Sequence, residues 1–271
     1  MTASELRIDG PVLLHDDLDG VRTLTLNRPR RKNAIDTELW GCLRDALDDA
    51  GTDPDVRALV VTGAAGAFCS GADIANPGVA HPMRKMRVLT DVALLLHELP
   101  VPTVAKVNGV AVGAGWNLAL GCDLVVATPE STFSQIFTKR GLSLDLGGSW
   151  LLPKLIGLQQ AKRLALLAET IDAEQALAMN LVTWVVPGDE IDGFVDDLAC
   201  RLVAGPPVAL AQTKALLNEG ADRTLRDALA SEARAQATNF ATVDAPEAFS
   251  AFAEKREPRF TGRWAVGRDK Q

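Results

Sequence analysis

The chain has 271 residues, 47% of them apolar and 23% charged, with a net charge of −7. A chain this long buries roughly three-quarters of its unfolded surface, so its core needs neither disulfides nor metal, and its composition fits neither disorder nor a membrane protein. Acidic residues outnumber basic ones by 35 to 28, and no basic stripe could neutralise successive phosphates, which argues against nucleic acid as a partner.

The uncharged run Val107–Cys122 contains glycines and asparagines and is too short and too polar to span a bilayer, so no membrane partner is expected. Cys42, Cys69, Cys122 and Cys200 show no metal-ligand spacing, and His15, His81 and His97 stand far apart. No metal site is expected, and the cysteines read as reduced thiols of a cytoplasmic chain. The opening MTASELRIDG has neither the basic nor the apolar region of a secretory signal.

In chain order, Val21–Leu26 alternates apolar and polar residues, the pattern of a half-buried strand. Asp36 then offers an N-cap to a helix whose apolar face carries Leu39, Leu43, Ala46, Leu47 and Ala50, with Gly51 as its stop. Val56–Val61 reads as a buried strand, Val88–Leu99 as a helix, and Thr103–Val107 and Leu124–Ala127 as further strands. Strands alternating with helices predict an α/β layered fold. Asp172 and Gln175 form a capping-box pattern, and Val182–Val186 closes this section as a strand. No fixed-period sequence repeat is visible. After Gly188 the pattern is helical only, over about 190–203, 207–218 and 224–242, with a last helix that starts at Asp244-Ala-Pro-Glu247, where Asp244 is placed to cap. The division is therefore a core over 1–188 and a helical section over 189–271, whose Ala-rich faces either cover the core or meet another subunit.

Two segments end a buried strand in a turn of small residues: Val60–Asp73 and Val107–Leu118. Small residues let backbone N–H groups approach a ligand, and two converging N–H groups make an oxyanion hole. A dinucleotide fingerprint fails at Gly113-Ala114-Gly115, because its third glycine would fall on Leu118.

The strings AFCSGADI (67–74), VNGVAVGAGWNLALGCDLVVAT (107–128) and RGLSLDLGGSWLLPKLIG (140–157) resemble those of the crotonase superfamily, the enoyl-CoA hydratase/isomerase family. The likeness runs from Asn27-Arg28-Pro29 to Phe260-Thr261-Gly262. It implies a spiral of ββα units followed by a C-terminal α-helical section that packs trimers, often paired into hexamers. It implies an acyl-CoA thioester as substrate, coenzyme A being part of that substrate and no separate cofactor being needed. It assigns the thioester oxygen to the N–H groups of Ser70 and Ala114.

The two glutamates of the family's hydratases fall, by the same motifs, on Asn117 and Phe137, which cannot take a proton. Asp145 remains. An aspartate between leucines just before a helix is either a helix cap or a lone general base, and whether its pKa rises or falls is open at this level. The string from Asp145 through Gly147-Gly148 to Trp150-Leu-Leu-Pro153 is similar to that of 1,2-epoxyphenylacetyl-CoA and Δ3,Δ2-enoyl-CoA isomerases, where one carboxylate moves a proton between carbons. The resemblance further implies CoA contacts at Arg28, Arg31, Ala34, Ala72, Asp73, Ile74 and Lys255. It makes Trp116, Asn117 and Phe137 acyl-pocket residues and 76–87 a wall of that pocket. An unusual hydratase or a non-catalytic acyl-CoA binding protein are the competing readings.

Overall fold

A computed structural model describes residues 10–75, 81–220 and 222–265. Strand β2 (Val21–Leu26) buries alternate residues, with Leu24 and Leu26 fully inside. It lies between β1 (Leu13–Leu18), paired antiparallel to it, and β3 (Ala58–Gly63), paired parallel. The parallel run continues through β4 (Thr103–Val107), β6 (Leu124–Ala127) and β9 (Trp184–Val185). β3 is buried along its whole length, as expected of a parallel strand covered on both faces. β1 was invisible in the periodicity because its sequence, LLHDDL, is almost entirely exposed on the sheet edge.

Helices α1 (Thr37–Thr52) and α2 (Pro82–Glu98) cover one face of this sheet. The Asp36 carboxylate accepts from the Leu39 N–H at 3.0 Å, so the expected N-cap is formed. α2 starts earlier than the apolar pattern suggests, because Pro82 sits in its first turn and His81 Nδ1 accepts from the Met83 N–H. Of the expected pocket wall at 76–87, residues 76–80 lie outside the described residues and 82–87 are the start of α2.

A second, smaller layer is built from short pieces. Strand β5 (Val110–Val112) pairs with β7 (Thr132–Ser134), which pairs with β8 (Thr170–Asp172). Single bridges extend it, Cys69 to Ala111 and Ala72 to Ile35. The chain therefore repeats one motif: a strand in the large sheet, a short piece in the second layer, then a helix. β4 and β5 lead to α3 (Ala114–Leu120), and β6 and β7 lead to α4 (Gly148–Leu167). This is the ββα spiral of the crotonase fold. α5 (Ala173–Ala178) starts with the Asp172 and Gln175 capping box in place.

The helical texture begins at the expected point, but its first member belongs to the core. α6 (Ile191–Ala204) packs Ile191, Val195, Leu198 and Ala199 against Val60, Val104 and Val126 on the second face of the large sheet. Only α7 (Pro207–Gly220), α8 (Leu225–Phe240) and α9 (Asp244–Glu254) form a separate helical layer. Asp244 does not cap α9; its buried carboxylate accepts from the N–H groups of Thr261 and Gly262, each at 2.8 Å, and fastens the following segment. Among the described residues no helix is long and apolar enough to cross a membrane.

Candidate active site

The two small-residue turns meet in the second layer. Cys69 donates its N–H to Val110 O and accepts from Val112 N, each at 2.9 Å. A Cβ on Gly115 would lie 2.4 Å from the Cys69 carbonyl, so only glycine lets α3 press this closely on the neighbouring strip. Gly113, with φ +57° and ψ −126°, turns the chain from β5 into α3 in a conformation closed to other residues. Ala114 has no positive φ and opens α3 normally, so alanine is compatible here.

Ser70 is not an oxyanion donor. Its N–H goes to the Lys32 carbonyl and its hydroxyl to the Arg31 carbonyl, both at 3.0 Å. The strip is shared between two neighbours: Cys69 donates toward β5, whereas Ser70 and Asp73 donate toward the 28–36 loop, the latter to Ile35 O at 2.9 Å. Ala72 N–H is left without an acceptor among the described residues, as is that of Ala114. Gly71 connects the two strips, since a Cβ built there would be 3.8 Å from Ala114 N.

Arg28 and Asp73 are committed to each other. The Arg28 guanidinium pairs with Asp73 at 2.9 Å and Asp36 at 3.0 Å, and also donates to the Ala34 carbonyl. Asp73 accepts from Ala75 N through its other oxygen. Both residues are therefore a buckle between the 28–36 loop and the 67–75 strip, and not free charges for a nucleotide. Asn33, whose role the composition did not reveal, completes the buckle. Fully buried at φ +55°, it accepts from Arg28 N and donates to Ala64 O and Ala67 O. Asparagine is one of the few residues that tolerates this left-handed conformation, which is the signal its presence offered. Arg31 is exposed and has no side-chain partner among the described residues, Ala34 is buried, and Ile74 is 61% exposed. Lys255 sits in the left-handed cap of α9, and no hydrogen bond joins it to this loop or strip.

Asp145 lies in the loop before α4, presented by two successive left-handed residues, Leu146 and Gly147. The helix-cap alternative fails: the N-cap is Gly147, with no side-chain cap bond. One Asp145 carboxylate oxygen is buried without a hydrogen-bond partner. Burial pushes the carboxyl up to about 6, because nothing nearby compensates the lost hydration of its charged form.

The main chain of Asp145, by contrast, is held. Asn117 Nδ2 donates to Asp145 O at 2.9 Å, and Gln135 Nε2 donates to Asn117 Oδ1 at 2.8 Å. Both amide side chains are buried. A Cβ on Gly148 would fall 2.4 Å from Asn117 Nδ2, so the glycine at the start of α4 makes room for this amide. Asn117 stands three residues after Ala114 on α3, so the side chain that fixes the Asp145 main chain starts about one helical turn from the Ala114 N–H group.

Next to this loop is a cavity of about 350 Å³ between α2, α3 and the start of α4. Asn117, Leu146 and Gly147 border it on the Asp145 side, and His97 and Trp150 are also on the lining. The His97 and Trp150 rings meet edge to face, 5.1 Å between centroids. Trp116 is not a wall of this cavity; it is fully buried against Phe133 in the core. Phe137 does not border the cavity either, and its ring lies 3.6 Å from where a Gly113 Cβ would stand, over the turn that carries Ala114. The contribution of α2 to the cavity had no motif to announce it.

The model of the enoyl-CoA hydratase/isomerase family matches residues 17–263. A protein of Rhodobacter capsulatus named "Probable enoyl-CoA hydratase" is 39% identical over 90% of this chain and 96% of its own. The 1,2-epoxyphenylacetyl-CoA isomerase of Escherichia coli is 37% identical over the same shares. Among solved structures, the enoyl-CoA hydratase of Bacillus anthracis superposes with a TM-score of 0.89 at 28% identity, covering 93% of this chain and all of that one. With its ββα spiral and a match across nearly its whole length, the chain belongs to the enoyl-CoA hydratase/isomerase family.

Proposed function

We propose that the protein is an acyl-CoA isomerase in which Asp145 is the proton carrier. The observation that carries this reading is a half-buried carboxylate with one buried, unpartnered oxygen, its main-chain carbonyl fixed by Asn117, which stands one helical turn from the free N–H of Ala114. The thioester oxygen accepts from Ala72 N–H and Ala114 N–H. Asp145 removes a proton from C2 of a 3-enoyl group, and the C–H electron pair enters the conjugated enolate, whose negative charge rests on the thioester oxygen. The protonated Asp145 returns the proton to C4, which moves the double bond from C3–C4 to C2–C3. Water is neither consumed nor released. Asn117 holds its amide to Gln135 and Asp145, and Phe137 is apolar, so neither activates water.

The exposed Arg31 meets the CoA phosphates in this reading, Ala34 and Ile74 flank the nucleotide, and Lys255 serves from a neighbouring subunit. The protein assembles as a trimer or hexamer through the helical layer. The exposed apolar side chains of Leu225, Phe240, Phe249 and Phe252 support a covered surface there.

The test is a pair of assays, 3-enoyl-CoA conversion to 2-enoyl-CoA, and hydration of 2-enoyl-CoA. Conversion without hydration is expected. Hydration near the general enzyme median of about ten per second would make the protein a hydratase, and tight binding without either turnover would make it an acyl-CoA binding protein.

A further inference from the structure

We infer that the cavity bordered by Leu146 and Trp150 selects uncharged, apolar acyl groups of medium length or with one aromatic ring, and rejects acyl groups ending in a carboxylate. This deepens the acyl-CoA isomerase reading and rests on it for how the substrate enters. An acyl chain with its thioester oxygen at Ala72 and Ala114 and its reacting carbons at Asp145 continues past Leu146 into this space.

Size supports the inference. A dry cavity of about 150 Å³ walled by aliphatic and aromatic side chains holds benzene, and this one, at about 350 Å³, exceeds what a four-carbon acyl group fills. Chemistry supports it as well. Among the described residues, the polar side chains on the lining apart from the indole of Trp150 are His97 and Asn117, and the Asn117 amide is already engaged at both ends. Lys154, whose Nζ lies 4.3 Å from the Trp150 ring centroid, has its charge paired with Asp222 at 2.7 Å. A terminal carboxylate entering here would lose its hydration and meet no lysine or arginine among the described residues of the lining, a cost far above that of a methyl group. The edge-to-face pair of His97 and Trp150 also presents the kind of ring surface on which another ring packs well.

The experiment measures dissociation constants of butyryl-, hexanoyl-, phenylacetyl- and glutaryl-CoA by calorimetry, alongside deuterium incorporation into 3-hexenoyl-CoA in heavy water. Each buried methylene contributes roughly three- to fourfold in affinity, so hexanoyl-CoA should bind at least about tenfold tighter than butyryl-CoA. Phenylacetyl-CoA should match hexanoyl-CoA, and glutaryl-CoA should be at least about tenfold weaker than hexanoyl-CoA.

Two variants move the ratios in opposite directions. Ala93→Phe, on the α2 wall, should bring the hexanoyl-to-butyryl ratio close to one. Trp150→Ala, at a half-exposed site that tolerates truncation, should shift the preference toward octanoyl-CoA. A flat ranking in the native protein, or glutaryl-CoA bound as well as hexanoyl-CoA, overturns the inference even where deuterium enters the substrate. The expected ranking without deuterium incorporation upholds the cavity's selectivity and overturns the isomerase reading instead.

Discussion

Asp73 and Asp145 are carboxylates withdrawn from solvent in neighbouring parts of one layered core, and their surroundings could hardly differ more. Asp73 has a guanidinium on one oxygen and a backbone N–H on the other. Asp145 has an oxygen with no partner, in a loop whose main chain is nonetheless tied down by Asn117. A buried carboxylate that is paired closes a structure, whereas one kept unpaired by a rigid frame carries a standing energetic cost, the mark of a candidate functional group. The contrast separates the two residues into a buckle and a proposed base.

The largest expected effect breaks the base. Asp145→Asn should lower the rate of 3-enoyl-CoA isomerisation by a factor of roughly 10² to 10⁴. The same change should stabilise the fold. The folded carboxyl titrates near 6, above its ordinary range, so Asp145 costs nothing below about pH 4, and stability falls as pH rises through 6. Removing the charge should therefore recover about 2–3 kcal/mol at pH 8 and almost nothing at pH 4, measured by denaturant melts at both values. A capping aspartate would give the opposite sign.

The matching change on the other side is Asp73→Ala. It leaves the Arg28 guanidinium, only 16% exposed, with Asp36 as its single carboxylate. Breaking such a pair costs about 3 kcal/mol. Urea denaturation should show this loss while the pH midpoint of turnover stays where Asp145 sets it. A midpoint displaced by this variant would merge the two sites into one electrostatic unit.

The pH profile itself sharpens the comparison. Turnover per bound substrate should rise with pH, with its midpoint near 6, because the base acts as a carboxylate. A rate flat from pH 5 to 8 would remove Asp145 from the proton-transfer step.

The proposed base stood out in the sequence and the buckle did not, for physical reasons. Asp145 stood out because it is the one acidic residue in an apolar stretch flanked by glycines. The main strands and helices were legible wherever one face is buried at a regular period, as in β2 and α1. The spiral repeat was hidden, because each turn conserves a geometry of strand, short piece and helix and no residue pattern. The pieces of the second layer are single bridges or three-residue strands, too short to carry a period. Ser70 was misplaced because sequence reveals which segment makes a turn but not which of its N–H groups is spent on a neighbour. Arg28 read as an available cation for a similar reason, its partner Asp73 being 45 residues away along the chain.

The smallest effect tests the frame around the base. In Asn117→Leu, Asp145 O loses its amide donor but keeps the Gly148 N–H at 2.9 Å, and Gln135 Nε2 loses its acceptor. A buried donor left without a partner costs about 1–3 kcal/mol of stability. Loosening the Asp145 loop should lower kcat roughly tenfold, an effect of about 1.4 kcal/mol on the barrier. The two consequences are separable. Gln135→Leu removes the far end of the relay and should destabilise to a similar degree, yet Asn117 still reaches Asp145 and kcat should fall less. Equal losses of kcat in both variants would mean that the amides act only through general stability, and that Asp145 needs no help from α3 to hold its place.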